Sequence, residues 1–110
     1  MYKRFAAAAC SLLITGVFAV PALAGDNEAI LEEGKALFNN STPACAVCHT
    51  LKDADATGNI GPDLDELQPA ADRIKKAMIE GTGPMPSFSS SLSDDEMDAI
   101  AAYITSVAGK

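Results

Sequence analysis

Residues 45–49 read Cys-Ala-Val-Cys-His, and no other stretch of the chain constrains its fold so tightly. One helical turn puts two thiols so spaced at the separation of the two vinyl groups of a haem, so each can form a thioether. The imidazole that follows then reaches the iron from the same side. In an exported chain this C-x-x-C-H run is the attachment signature of c-type haem. Three other uses of the motif fit less well. A thioredoxin-like C-x-x-C needs a strand before it and a helix after it in an α/β setting, which the flanking sequence does not offer. A structural zinc site takes four ligands, and His49 is the only histidine in the chain. A disulfide across two residues would be strained and would leave His49 unexplained.

The N-terminus places the motif outside the cytoplasm. Lys3 and Arg4 precede an apolar run from Phe5 to Val20, and Ala22-Leu23-Ala24 then gives an A-x-A cleavage site before the polar Gly25-Asp26. That order is the pattern of a secretory signal peptide. The expectation is a signal peptide over 1–24 and a single domain over 25–110 acting in the periplasm. The alternative is an uncleaved anchor, since Phe5 to Ala24 is long enough to span a bilayer; membrane contact is expected only in that case. Cys10 lies inside the apolar run, the wrong place for an acylated mature N-terminus.

All fifteen acidic residues follow Ala24 but only six basic ones do, so processing would take the formal charge from −7 to −9. No basic patch is large enough for nucleic acid. An acidic surface favours fast, salt-sensitive encounter with a partner that presents a basic docking patch.

Four helical patterns are readable. The first spans about 27–39, with Asp26 as N-cap, Ile30, Leu31, Leu37 and Phe38 as its apolar face, and Gly34 marking close approach of another helix. The second is a turn around 44–50 carrying the cysteines. The third runs over 69–80, opened by Pro69 and stopped by Gly81. The fourth starts at Ser93-Asp94-Asp95-Glu96, a capping box, and runs to about Val107 with Met97, Ile100, Ile104 and Val107 on one face. Lys52 to Gln68 and Gly81 to Leu92 read as loops. No segment alternates with period two for long, so the expected fold is all-α, a small helical bundle around one covalent haem.

From about Gly34 to the C-terminus the chain resembles the class I c-type cytochromes of the small bacterial type. Beyond Cys45–His49, Gly61-Pro62-Asp63-Leu64 is similar to the family's G-P-x-L. Gly83-Pro84-Met85-Pro86-Ser87-Phe88 is similar to its M-P-x-F loop. Gly34 and Phe38 with Tyr103 are similar to its contact between terminal helices. The resemblance implies that the Pro62 carbonyl accepts the Nδ1–H of His49, and that the loop methionine is the second axial ligand. The region from Pro43 to Pro86 also resembles, in a narrower match, small cytochromes that take electrons from exported sulfite dehydrogenases.

The residues agree with that implication. Met78, Met85 and Met97 are the candidate sixth ligands. Met78 and Met97 sit on apolar helical stripes and read as core, where methionine fills gaps. Met85 lies between Pro84 and Pro86, which restrict the loop and suit it to presenting one side chain. His49 and Met85 are thus the expected iron ligands. Cys45, Cys48 and Pro62 complete the haem-binding set, and Ile60, Leu64, Leu67, Ile74, Met78 and Phe88 are wall candidates. The acidic clusters at 63–66 and 94–98 read as solvated faces and a helix N-terminus. No nucleophile–base set remains, because the sole histidine is claimed by iron. The expectation is a one-electron carrier between a dehydrogenase and a terminal oxidase or other acceptor. It is not an enzyme and takes no small-molecule substrate. The alternatives are a haem subunit bound tightly to a dehydrogenase, and a haem enzyme or gas sensor with an open sixth position.

Overall fold

A computed structural model describes Gly16 and residues 24–110. All of the expected signal segment except Gly16 and Ala24, including Cys10, lies outside the described residues. Among the described residues no helix is long and apolar enough to cross a membrane.

Five α-helices make up most of the described chain: α1 (Ala24–Asn40), α2 (Cys45–Cys48), α3 (Leu64–Leu67), α4 (Ala71–Glu80) and α5 (Asp94–Val107). The all-α bundle expected from the sequence is the fold found. A two-stranded antiparallel ladder, β1 (Thr50–Leu51) with β2 (Ala56–Thr57), flanks a single 3₁₀ turn at Lys52–Ala54. The chain reverses at Asp55, which sits in the left-handed region at φ 52°.

α1 and α5 form the central seam. Gly34 is buried there, and a Cβ built on it would lie 2.6 Å from the Tyr103 Cβ and closer still to the Ala99 carbonyl oxygen. Only a glycine lets the two backbones approach this far, which accounts for a residue that costs about 1 kcal/mol inside a helix. Phe38, one turn on, is fully buried and meets the Tyr103 ring edge-on with centroids 6.1 Å apart. The Tyr103 hydroxyl donates to Asp53 at 2.6 Å, and Lys35 reaches the same carboxylate oxygen at 3.4 Å. One carboxylate therefore joins α1, α5 and the 3₁₀ turn. The hydrogen bond from Tyr103 is the main cause holding the Asp53 carboxyl below its ordinary range, while burial and that carboxylate push the Tyr103 hydroxyl well above its own.

α5 starts as its sequence demands. Ser93 Oγ accepts from Glu96 N at 3.1 Å and Glu96 returns a carboxylate oxygen to Ser93 N at 2.9 Å. Its inward face buries Met97, Ile100 and Ile104. Lys75 of α4 bridges to Asp94 and Asp98 in the first turns of α5, at 2.9 and 2.8 Å.

Five expectations need correction. α4 starts at Ala71 with Ala70 as its N-cap, so Pro69 precedes the helix and does not stand in its first turn. α1 starts at Ala24, so Asp26 lies inside its first turn, where a carboxylate suits the helix dipole, and is not the cap. Ile30 is 44% exposed because it lies beyond the crossing at Gly34. The α2 turn stops at Cys48, with His49 already extended at φ −114°, ψ 140°. The stretch from Lys52 to Gln68 is not all loop. It contains β2 and α3, the latter capped by Asp63, whose carboxylate accepts from Asp65 N and Glu66 N.

Candidate haem site

The two cysteines need a local turn and the histidine needs to leave it. Val47 N donates to Ala44 O and His49 N donates to Cys45 O, which closes α2 over four residues. The extended backbone at His49 then swings its ring out of the helix, toward the segment at 58–62. That segment is drawn up against α2. Thr50 Oγ1 donates to Gly58 O at 2.8 Å and Gly61 N donates to Cys48 O at 2.7 Å.

The result fixes the imidazole. His49 Nδ1 lies 2.8 Å from the Pro62 carbonyl oxygen, so Nδ1 carries the proton and donates it. Nε2 is left with its lone pair for a metal, and the carbonyl partner makes it a stronger donor. A Cβ at Gly61 would sit 2.6 Å from His49 Cε1 and 2.9 Å from Nδ1. Glycine is required there for space rather than for backbone angle. Asp65 ties α3 to the chain beside β1 and to the C-terminus, its carboxylate accepting from Lys52 N at 2.8 Å and from Gly109 N at 3.0 Å.

Cys45, Cys48 and His49 face a cavity of about 380 Å³, within the roughly 300–1,000 Å³ range of sites that enclose a ligand. Its walls are almost wholly apolar. Every wall candidate read from the sequence lines it: Ile60, Leu64, Leu67, Ile74, Met78 and Phe88. So do Pro62 and Met85, whereas Met97 is buried away from it in the core. Met78 is both core and cavity wall, at 2% exposed.

The residues fit a covalently held haem. Both cysteines are free thiols on one turn, and burial is the main cause pushing the Cys45 thiol above its ordinary range. The remaining ring nitrogen of His49, the apolar walls and a methionine from a separate loop match what a ferrous–ferric couple needs around it.

Sequence reading missed two kinds of residue. Phe38, Ile100 and Ile104 line the cavity as well as the α1–α5 seam, because the seam forms its back wall. Arg73 lines it too and is the only formally cationic side chain to do so among the described residues. Its position one helical turn before Ala77, which lines the same cavity, was the available signal, since residues four apart share a helix face.

Comparison with known proteins agrees with this geometry. Residues 29–104 match the family model described as cytochrome C oxidase, cbb3-type, subunit III. The chain is 33% identical to cytochrome c6 of Synechocystis over an alignment of 114 positions, covering 92% of this chain and 83% of that protein. It is also similar to the crystal structure of the c-type cytochrome SorU from Sinorhizobium meliloti. The identity is 49% and the TM-score 0.72, with 76% of this chain and 95% of that one covered.

Proposed function

Since the chain belongs to the c-type cytochrome family that includes the cbb3-type subunit III model, we propose that it is a periplasmic carrier of single electrons. In this reading residues 1–24 are a signal peptide and residues 25–110 are the working domain. The haem is held by Cys45 and Cys48 and ligated by His49 and Met85. The observation that carries the reading is the convergence of two free thiols, a carbonyl-oriented imidazole and a loop methionine on one apolar cavity.

When bound, haem supplies an iron that takes up and returns one electron. Each of the surrounding residues has a task toward it. Pro62 holds the Nδ1 proton of His49, which keeps the imidazole in one tautomer and one orientation through both oxidation states. Met85 offers a soft thioether, which favours the ferrous state and raises the potential relative to a second imidazole. The apolar walls keep water out and act in the same direction, because the oxidised centre carries one more positive charge. Arg73 lines the same cavity and would place a fixed positive charge beside the bound group.

Electron exchange is assigned to the α2 side. Val47 and Ile60 are the most exposed large hydrophobic residues among those described, at 61% and 64%. Val47 lies between the two cysteines and Ile60 on the cavity rim. They offer a small apolar contact beside the thioethers, while the acidic surface steers a basic partner. An exported sulfite dehydrogenase is the proposed donor, a reading supported by the narrower sequence resemblance over Pro43 to Pro86. No bond-making chemistry is assigned to the chain.

The test uses purified holoprotein. Its mass should equal residues 25–110 plus one haem. The oxidised form should show the near-infrared sulfur-to-iron band, and the reduced form should bind carbon monoxide slowly. Rapid carbon monoxide uptake without that band would replace the carrier reading with an open-site one. Reduction by a sulfite dehydrogenase that slows steeply with salt supports the steered donor, and co-elution of the two through gel filtration at high salt would make this chain a fixed subunit instead.

A further inference from the structure

The segment that carries Met85 leaves and rejoins the fold at one place, the C-terminal end of α4. The last carbonyls of any α-helix lack intrahelical partners. Here they are taken by the segment itself. Gly81 N donates to Ala77 O at 2.8 Å and Phe88 N donates to Met78 O at 2.7 Å. The Ile79 carbonyl receives two hydroxyls, Ser87 Oγ at 2.6 Å and Ser89 Oγ at 2.9 Å. Ser89 N in turn donates to Ser87 Oγ at 3.3 Å.

Between these anchors the chain makes a closed excursion. Thr82 and Met85 exchange both backbone hydrogen bonds, at 3.0 and 2.9 Å. Gly81 turns the chain at φ 72°, and a Cβ there would press on Met85 O and Ser87 N at 2.9 Å. Pro84 and Pro86 have no N–H to give. The return limb is therefore tied down by one backbone donor, at Phe88, and by the hydroxyls of Ser87 and Ser89. Each of these hydroxyls lies within four residues of Met85.

We propose that Ser87 and Ser89 are positioning residues for the Met85 thioether: their shared grip on the Ile79 carbonyl sets how readily Met85 withdraws from the iron. The inference rests on the reading of Met85 as sixth ligand. The two hydroxyls hold the limb through which the Met85 segment must move to open. Opening breaks both bonds, so their loss raises the open fraction. A role confined to finishing α4 behaves differently. The bonds would then persist in the open form, and their removal would lower overall stability without changing exchange at the iron.

The experiment measures imidazole binding to ferric holoprotein by stopped flow at one pH, alongside thermal unfolding. Imidazole can enter only when the methionine is off, so its rate reports the open fraction. Two solvent-exposed hydrogen bonds at the low end of their usual worth predict a roughly tenfold faster entry in the S87A/S89A double variant. Each single variant, S87A or S89A, should give about a threefold rise, which keeps the test usable if the double variant folds poorly. Restoring the hydroxyls in S87T/S89T should return the rate toward wild type. Met85→Ala separates the two readings: it should lose the sulfur-to-iron band and bind imidazole without an opening step. If Met85→Ala matches wild type, the ligand assignment fails and the clamp fails with it. If Met85→Ala behaves as expected but S87A, S89A and the double variant all bind imidazole at the wild-type rate, the clamp alone is overturned.

Discussion

Replacing Gly34 by alanine tests whether the α1–α5 seam is as tight as the backbone distances imply. In an ordinary helix interior the change would stabilise by about 0.5–1 kcal/mol, because alanine loses less conformational entropy. Here the new methyl would lie 2.6 Å from the Tyr103 Cβ, where ordinary contacts lie at 3.4–4 Å. It would lie closer still to the Ala99 carbonyl oxygen, which belongs to the α5 backbone and has no rotamer to retreat into. The helices must therefore part by about 0.8 Å at Tyr103 and more at Ala99. Overpacking of this kind costs about 1–3 kcal/mol, and rigid backbone on the far side puts this case at the upper end. Set against the propensity gain, the net loss is about 2 kcal/mol. For a domain of this size that lowers Tm by about 8–16 °C. The assay is thermal unfolding of the haem-loaded protein followed by circular dichroism at neutral pH. A G34A variant that melts at or above wild type would refute the argument, since it would mean the seam has slack and glycine is there for some other reason.

Three further outcomes follow from the geometry. Gly61→Ala drives a methyl into the His49 ring, so the ring should leave the Pro62 carbonyl; its hold on iron should weaken by the roughly 10–100-fold that such outer partners typically contribute, read in the haem-loaded protein as acid displacement of the histidine at a higher pH, and an unchanged acid transition would count against the cradle. Tyr103→Phe removes the donor to Asp53, at a cost of about 1 kcal/mol near pH 7. Asp53 is held low and Tyr103 high, so the difference from wild type should be full between roughly pH 5 and 9, shrink as acid protonates Asp53 below about pH 4, and shrink again above about pH 10 as alkali erodes the wild-type advantage; a difference that stays constant with pH would exclude the pairing. Arg73→Gln should lower the reduction potential by about 20–60 mV, a two- to tenfold shift in the redox equilibrium, and an unchanged potential would show that the guanidinium is screened by water.

Much of this molecule was legible in the sequence, and the parts that were not share a cause. The α1–α5 crossing could be read because a buried glycine inside a helix has few explanations. The start of α5 could be read because a capping box is a local pattern of four residues. Of the wall residues, Ile74 and Met78 followed from the stripe of the third helix, and Ile60, Leu64, Leu67 and Phe88 from their places beside the two motifs that resemble the family's. Strands of two residues have no period to detect, even though Leu51 and Ala56, which pair across the ladder, are both buried in the core. α3 was missed although Asp63 followed by Asp65 and Glu66 is an N-cap signal, because four helical residues are too few to show a stripe. The Asp65 tie to Lys52 and Gly109 joins positions 13 and 44 residues away, which no window along the chain can reveal. Arg73 was passed over because a lone cation on an amphipathic helix looks like solvent-facing charge until the cavity beside it is seen.

The seam between Gly34 and Tyr103 also dictates an order of events. It joins residues near opposite ends of the domain, so it cannot form until the last helix has been synthesised and delivered. The back wall of the cavity, Phe38 with Ile100 and Ile104, waits on the same step. Until then Cys45, Cys48 and His49 have no back wall to face, and a four-residue turn does not hold its shape alone. A cavity able to enclose a large flat cofactor therefore exists only once the C-terminal helix is in place.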